Sequence, residues 1–312
     1  MKSKEIIQQK YKNVTCPKCN SKNVKKNAKR KTKHRGEIQR YKCKNCSYRF
    51  TFDDGFKRMR NHPKKITCAL DLFYRGISTR KVQEHFKAFY PHNSSHKSIY
   101  KWVVKYSKVI SKFTNSLKLK VGQEIQLDEM EYSRRKYPNK KGIDKNWFID
   151  CIDSKTRFMV SSEFVREREQ EEIKQVLKKA KEKTEEQVKV ITTDGLLAYP
   201  YAIQKTFTLM DKSNTRRFGV KHNQVNASKG EGFNIMIERL HNNIRQRTKT
   251  FRGFHGSIDS ANAIMKGWEV YYNFITKHQT LKRCPYELAT DLKLNSENKS
   301  LELINLSNQS KN

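Results

Sequence analysis

The 312-residue sequence has no long hydrophobic run, few acids, and an odd number of cysteines. None of its apolar stretches approaches the roughly 18 residues that a membrane-spanning helix needs. The opening MKSKEIIQQK also lacks the apolar centre of a secretory signal. These absences lead to the expectation of a soluble, intracellular protein with no membrane partner. Seven cysteines in such a compartment argue against a disulfide framework. Acids are scarce: Asp and Glu total 31 against 67 Lys and Arg, a net charge of +36. So large an excess repels itself in a compact chain, and a polyanionic partner, nucleic acid before an anionic membrane, is the usual reason to carry it. Apolar content is low, but aromatics make up 11%, which excludes a disordered chain. The length suits one sizeable core with smaller modules beside it.

Four of the cysteines form two CxxC pairs, Cys16 and Cys19 in CPKC and Cys43 and Cys46 in CKNC. Four thiolates close a tetrahedral structural Zn²⁺ site, which supplies folding energy to a segment too short for a core of its own. A redox role is disfavoured because neither pair sits in a βαβ context. Cys68, Cys151 and Cys284 stand alone and read as packing residues. Between the pairs lies a basic loop with seven Lys or Arg in the eleven positions from Lys25 to Arg35, among them Lys29, Arg30 and Lys31. Tyr41, Tyr48, Phe50 and Phe52 follow in alternation, as the strands of a ribbon would carry them. Such a loop would neutralise phosphates with little sequence choice, the alternative being a merely solvated loop.

Residues 57–112 carry a helical pattern broken near Gly76 and Pro91, with serines placed to cap the second and third helices. Two short helices and a basic third one are like a helix-turn-helix, with His96, Lys97, Lys101 and Lys105 exposed and Ile99, Trp102 and Val103 packed inward. A plain three-helix bundle is the alternative reading.

From about residue 122 the pattern changes to strands at EIQLDEM, NWFIDCID and RFMVSSEFV, then a charged helix, the short strand VKVITTDG, and a fifth strand at FGVKHNQV. These predict an α/β fold with a mixed sheet. Asp128 and Asp194 close the first and fourth strands, where an open sheet binds ligands. The stretch Phe233–Lys249 reads as an amphipathic helix, with Phe233, Met236, Ile237, Leu240 and Ile244 on one face and Asn234, Glu238, His241, Asn242 and Arg245 on the other. Asp128, Asp194 and Glu238 could meet only around a cation, and hard oxygen donors suit two Mg²⁺ or Mn²⁺ ions for in-line phosphoryl transfer. Glu231 is a rival third acid, placed between glycines that fix its backbone poorly. Glu129, Glu131, Asp150 and Asp153 read as turn or rim residues.

QLDEM, TTDGLLAY, KHNQ and NIMIERLHNNIRQRTKTFRGF, followed by SANAIMKGWEVYYNFITKHQTL, resemble the DDE transposases of prokaryotic insertion sequences over about residues 122–290. The resemblance implies a ribonuclease H-like catalytic core, an N-terminal zinc ribbon and a small helical DNA-binding unit. It implies Asp128, Asp194 and Glu238 as the metal-binding triad and Arg245 as a phosphate contact, with His241 and His222 as weaker counterparts. The distance from Asp194 to Glu238 is longer than such families often show. Double-stranded DNA, as element ends and target, would be the partner, at least a homodimer would pair the ends, and the protein would work at the nucleoid in a prokaryotic cytoplasm. The domains expected are a polar lead-in (1–15), zinc ribbon (16–56), helix-turn-helix-like unit (57–120), catalytic domain (121–290) and flexible tail (291–312). Two rival functions are a zinc-ribbon regulator with an inactive core and a nuclease acting on RNA–DNA hybrids.

Overall fold

A computed structural model describes residues 14–135, 143–185, 187–210, 216–225, 234–251, 253–254 and 256–310. Phe233 and Glu231, singled out above, lie outside these residues. Near the N-terminus, β1 (Val24–Thr32) and β2 (Gly36–Cys43) form an antiparallel hairpin, and β3 (Arg49–Thr51) pairs with the base of β2. The basic run is thus a strand through Thr32 and not a loop. It contains no Gly or Pro to interrupt an extended backbone, and its pairing with β2 runs from Val24 opposite Cys43, through a one-residue register shift between Lys26 and Ala28, to Thr32 opposite Gly36. The tip of the hairpin is held: Arg35 donates to the Phe56 carbonyl at 2.9 Å and pairs with Asp54, while the rings of His34 and His92 meet edge-on.

Three helices follow, α1 (Pro63–Tyr74), α2 (Thr79–Phe89) and α3 (His96–Thr114). The serine caps fall where the sequence puts them, since Ser78 and Ser95 accept from the N–H groups of Lys81 and Ser98. Gly76, at φ +95°, takes the left-handed turn that ends α1. Ile66, Leu70, Val82, Phe86, Ile99, Trp102 and Tyr106 close one core, leaving Lys97, Lys101 and Lys105 exposed on α3.

The main sheet contains β4 (Glu124–Arg135), β5 (Ile143–Asp153), β6 (Met159–Val165), β7 (Val190–Thr193) and β10 (Lys221–Gln224). A separate hairpin, β8 (Thr208–Met210) with β9 (Arg216–Phe218), precedes β10. The order is β10-β7-β4-β5-β6; β4, β5 and β6 are antiparallel, whereas β7 and β10 run parallel to β4. This is a mixed sheet, as the sequence pattern predicts. Odd residues such as Leu127, Ile149 and Cys151 face α4 (Gln170–Thr184) and α5 (Ala198–Phe207), while Met130, Phe148 and Ile152 face α6 (Ile235–Thr248) and α7 (Ile258–Val270). Helix α7 is capped by Ser257 and prolonged by a π turn over Tyr271–Ile275, with Trp268, Tyr271 and Tyr272 buried.

The C-terminus departs from expectation. After a short α8 (Tyr286–Ala289), the segment predicted to be a flexible tail forms α9 (Lys299–Gln309), capped by Asn298. Leu303 and Ile304, in the run LELINL, are fully buried against α1 and α3. Asn, Ser and Lys around that run lower its average hydropathy and hide the two residues that seat it. Truncating Ile304 to Ala is expected to lower unfolding free energy in urea by about 2–4 kcal/mol, the range for a buried aliphatic residue. An unchanged midpoint would mean that α9 does not pack.

Candidate functional site

Two clusters of ligand-type side chains stand out among the described residues. The first is the cysteine set. Each CxxC turn ends on a residue with left-handed backbone, Asn20 at φ 55° and Ser47 at φ 57°, so the two turns have the same shape and face each other across the ribbon. The Sγ atoms of Cys16 and Cys46 lie 3.5 Å apart and those of Cys19 and Cys43 3.6 Å apart, with all four within 4.8 Å. A tetrahedron with metal–sulfur bonds of about 2.3 Å has edges of about 3.8 Å, so the donor set fits zinc. The N–H of Cys46, ahead of the opposing effect of burial, brings the Cys43 thiol down to about 6, which favours the thiolate a metal needs.

The second cluster lies at the strand ends. The register of β4 with β7 ends with Gln126 opposite Thr192; Asp128 lies two residues further along β4 and Asp194 just beyond the end of β7. Oxygens of Asp128, Asp194 and Glu129 lie within 4.8 Å of one another. Glu129, read from the sequence as a rim residue, is therefore part of the group. It is held from the opposite sheet face to Asp128: Arg168 donates to it at 2.6 Å, and the Tyr199 hydroxyl bonds its other oxygen. Arg168 in turn lies over the Trp147 ring at 4.1 Å. Burial raises the Glu129 carboxyl above the usual range against those two donors. Asp194 is raised by loss of water around its carboxyl, with the charge of Asp128 adding to the effect and the Leu196 N–H opposing it. Three crowded carboxylates form a hard-oxygen donor set that fits Mg²⁺ or Mn²⁺.

Helix α6 is fastened over this crevice. Its first N–H groups, at Met236 and Ile237, donate to Oε1 of Gln126 at 2.9 and 3.2 Å, which satisfies donors every helix start leaves open. Asn234 donates to the Leu127 carbonyl. His241 places Nδ1 3.3 Å from Asp128 and Nε2 2.8 Å from Asp150. The ring is only 2% exposed, so the DNA contact expected of His241 is replaced by a position between two carboxylates. Burial alone would lower its pKa, but Asp150 first and then Asp128 push it up to about 9. Asp150, also read as a rim residue, is fully buried and raised by that burial despite His241. The polar face of α6 is therefore partly an inner face: alternation along β5 reveals which side Asp150 points to, but not that a helix covers it.

Glu238 lies on the same stripe, four residues after Asn234 and three before His241, both of which touch β4. Its side chain is exposed and stands outside the 4.8 Å group. The structure thus unites two of the three expected acids and sets the third one helical turn away from the contact with Asp128. Arg245 is exposed two turns further along α6, and Lys29, Arg30, Lys31, Lys97 and Lys101 are exposed on β1 and α3. His222 on β10 bonds the Thr193 hydroxyl at 2.9 Å. Glu131 remains at the rim beside Lys145, and Asp153 holds the β5–β6 turn by accepting from Thr156.

Residues 144–279 match the family model DDE_Tnp_IS240, described as a DDE domain. The match takes in Asp194 and Glu238 and begins after Asp128. No curated protein matches. Among solved structures, the chain is similar to one described as a pre-cleavage Mos1 transpososome, at 8% identity over 67% of this chain and 77% of that one, with a TM-score of 0.26. A likeness at that score has no bearing on the fold, which rests on strand order and sense.

Replacing Gln126 by Leu would keep the volume but strip two N–H groups of α6 of their acceptor. The expected result is a loss of about 1–3 kcal/mol in stability and faster hydrogen exchange at Met236 and Ile237. Unchanged exchange at both amides would show that β4 does not hold this helix.

Proposed function

We propose, from the premise that residues 144–279 are the DDE domain of an insertion-sequence transposase, that this metal-dependent DNA-cleaving enzyme binds element ends, cuts there and joins the freed 3′-hydroxyl to target DNA. The observation that carries the reading is the meeting of Asp128 on β4 with Asp194 just past the end of the parallel strand β7, in a chain of charge +36. Both carboxylates would hold divalent metal, with Glu238 swinging in from α6 as the third ligand. Mg²⁺ or Mn²⁺, two ions in all, would supply charge neutralisation for the phosphoryl group and lower the pKa of the attacking hydroxyl. The protein's own part is to position. Arg168 is 42% exposed beyond its contacts with Glu129 and Trp147, which leaves donors free to face a phosphate at the rim.

Element ends would be gripped by exposed Lys29, Arg30 and Lys31 on the ribbon, by Lys97 and Lys101 on α3, which would enter a major groove, and by Arg245 beside the acids. Structural zinc on Cys16, Cys19, Cys43 and Cys46 would shape the ribbon. Pairing two ends calls for a homodimer or higher assembly, acting at the nucleoid of a prokaryotic cell.

Incubating the purified chain with Mg²⁺ and a labelled element end tests the reading. Asp128→Asn, Asp194→Asn and Glu238→Gln should each cut strand transfer about 10³-fold or more, as losing a metal ligand worth several kcal/mol would, while end binding persists. Full activity in Asp128→Asn would sink the catalytic assignment, binding without any cleavage would favour a regulator, and cleavage confined to RNA–DNA hybrids a nuclease. Should Glu238→Gln remain active while Glu129→Gln does not, the third ligand is Glu129. Separately, the chain should carry one zinc, lost together with the fold of the ribbon in the double variant Cys43→Ser, Cys46→Ser; retention of zinc there would disprove the cysteine site.

A further inference from the structure

We propose that Asp150 and His241 act as a positioning pair that holds the Asp128 carboxylate in the orientation a divalent ion requires. The inference rests on the reading of Asp128 as a metal ligand and adds two residues to it that do not touch the metal.

Asp150 faces Asp128 directly in the antiparallel register of β4 and β5, on the side covered by α6. Its neighbours on that face, Phe148 and Ile152, are buried apolar residues. Packing alone would therefore favour an apolar side chain at position 150, and a fully buried carboxylate there is costly. One of its oxygens, Oδ2, has no hydrogen-bond partner among the described residues, whereas the other is engaged by Nε2 of His241 at 2.8 Å. Among the described residues, His241 is the group that meets the charge of Asp150.

That partner has no freedom left. Nε2 of His241 is fixed by Asp150, and the ring carries Nδ1 to Oδ2 of Asp128 at 3.3 Å. The second oxygen of Asp128, Oδ1, accepts the Glu129 N–H at 2.8 Å. Each oxygen of the carboxylate is thus directed by one donor, and the remaining lone pairs are left for the crevice shared with Asp194. A carboxylate anchoring an imidazole that orients a metal ligand is the outer-shell arrangement whose loss weakens metal binding while sparing the ligands themselves. Because His241 sits one turn from Glu238 on α6, the same clamp sets how far that glutamate stands from β4.

The test uses the full zinc-loaded chain without DNA, titrated with Mn²⁺ by electron paramagnetic resonance, alongside thermal unfolding before Mn²⁺ is added. Asp150→Asn and His241→Gln should each weaken Mn²⁺ binding by about 10–100-fold. The double variant should be no worse than either single one, because the pair works as a unit. Asp128→Asn should lose this binding altogether. A purely structural pair would instead lower the unfolding temperature and leave the affinity of the folded chain unchanged, and that result overturns the inference while Asp128→Asn still supports the metal site. If Asp128→Asn binds Mn²⁺ like the unaltered chain, the metal reading itself falls and the positioning pair with it. Should Asp150→Asn fail to fold, His241→Gln decides alone, by the same loss or retention of affinity.

Discussion

Like charge gathered at one end of a sheet is the constraint that the rest of this molecule answers. The parallel pairing of β7 with β4 puts Asp194 beside Asp128, alternation brings Glu129 to the same edge, and the antiparallel partner β5 adds Asp150. Left alone, such a group would shed charge by taking up protons. Each acid instead has a donor of its own: Arg168 and Tyr199 on Glu129, the Leu196 N–H on Asp194, and His241 between Asp128 and Asp150. These donors lie behind or beside the crevice, so its mouth stays anionic. The same donors let the chain fold with these acids crowded together.

Much of this could be read from the chain because the signals were local. A CxxC pair is four residues long and a strand ending in an acid is five. What escaped depended on burial, which is not local. Asp150 and Asp153 look alike in NWFIDCID, yet one faces α6 and the other closes a turn. Glu129 looks like a rim residue until Tyr199, seventy positions away in sequence, is seen to bond it. His241 appeared to point outward because Asn234, Glu238 and Arg245 share its face. A helical wheel separates polar from apolar but cannot reveal that β4 and β5 lie under the polar side.

Nor are all of the many lysines committed to a polyanion. Lys183 and Lys266 are buried around Glu269, at 3.7 and 3.1 Å, where Ser162 also donates to the carboxylate. Burial alone would raise Glu269, but Lys266 and Lys183 bring it below the usual value. Such a network fixes how α4, β6 and α7 lie together; it contributes to registry more than to stability, since apolar residues of equal volume could replace it at little cost. Lys29, Arg30 and Lys31 on β1, Lys97 and Lys101 on α3 and Arg245 on α6 are exposed and stand outside this network. Lys29 spends part of its field on Glu37 at 3.1 Å, an exposed pair of small energetic weight.

The exposed set is mounted on a continuous packed body. Helix α3 packs along α7, and the Tyr74 hydroxyl from α1 bonds Ser107 on α3 at 2.6 Å and the Ile264 carbonyl on α7 at 3.2 Å. Gly267 allows this approach, because a Cβ there would collide with both hydroxyls. At the far end of α6, Arg247 donates to the Arg75 carbonyl at the end of α1, and Phe251 stacks on Phe73. The helix that carries Glu238 and His241 is thereby anchored at its start to the acid-bearing strand and at its end to the helical unit. Two anchors on one rigid rod mean that the distance between the α3 surface and the acid crevice is set by packing and not by a linker. On the function proposed above, an end gripped by Lys97 and Lys101 would present its phosphates to Asp128 and Asp194 at a fixed spacing, and the length of DNA between the gripped sequence and the cut would follow from how these helices pack.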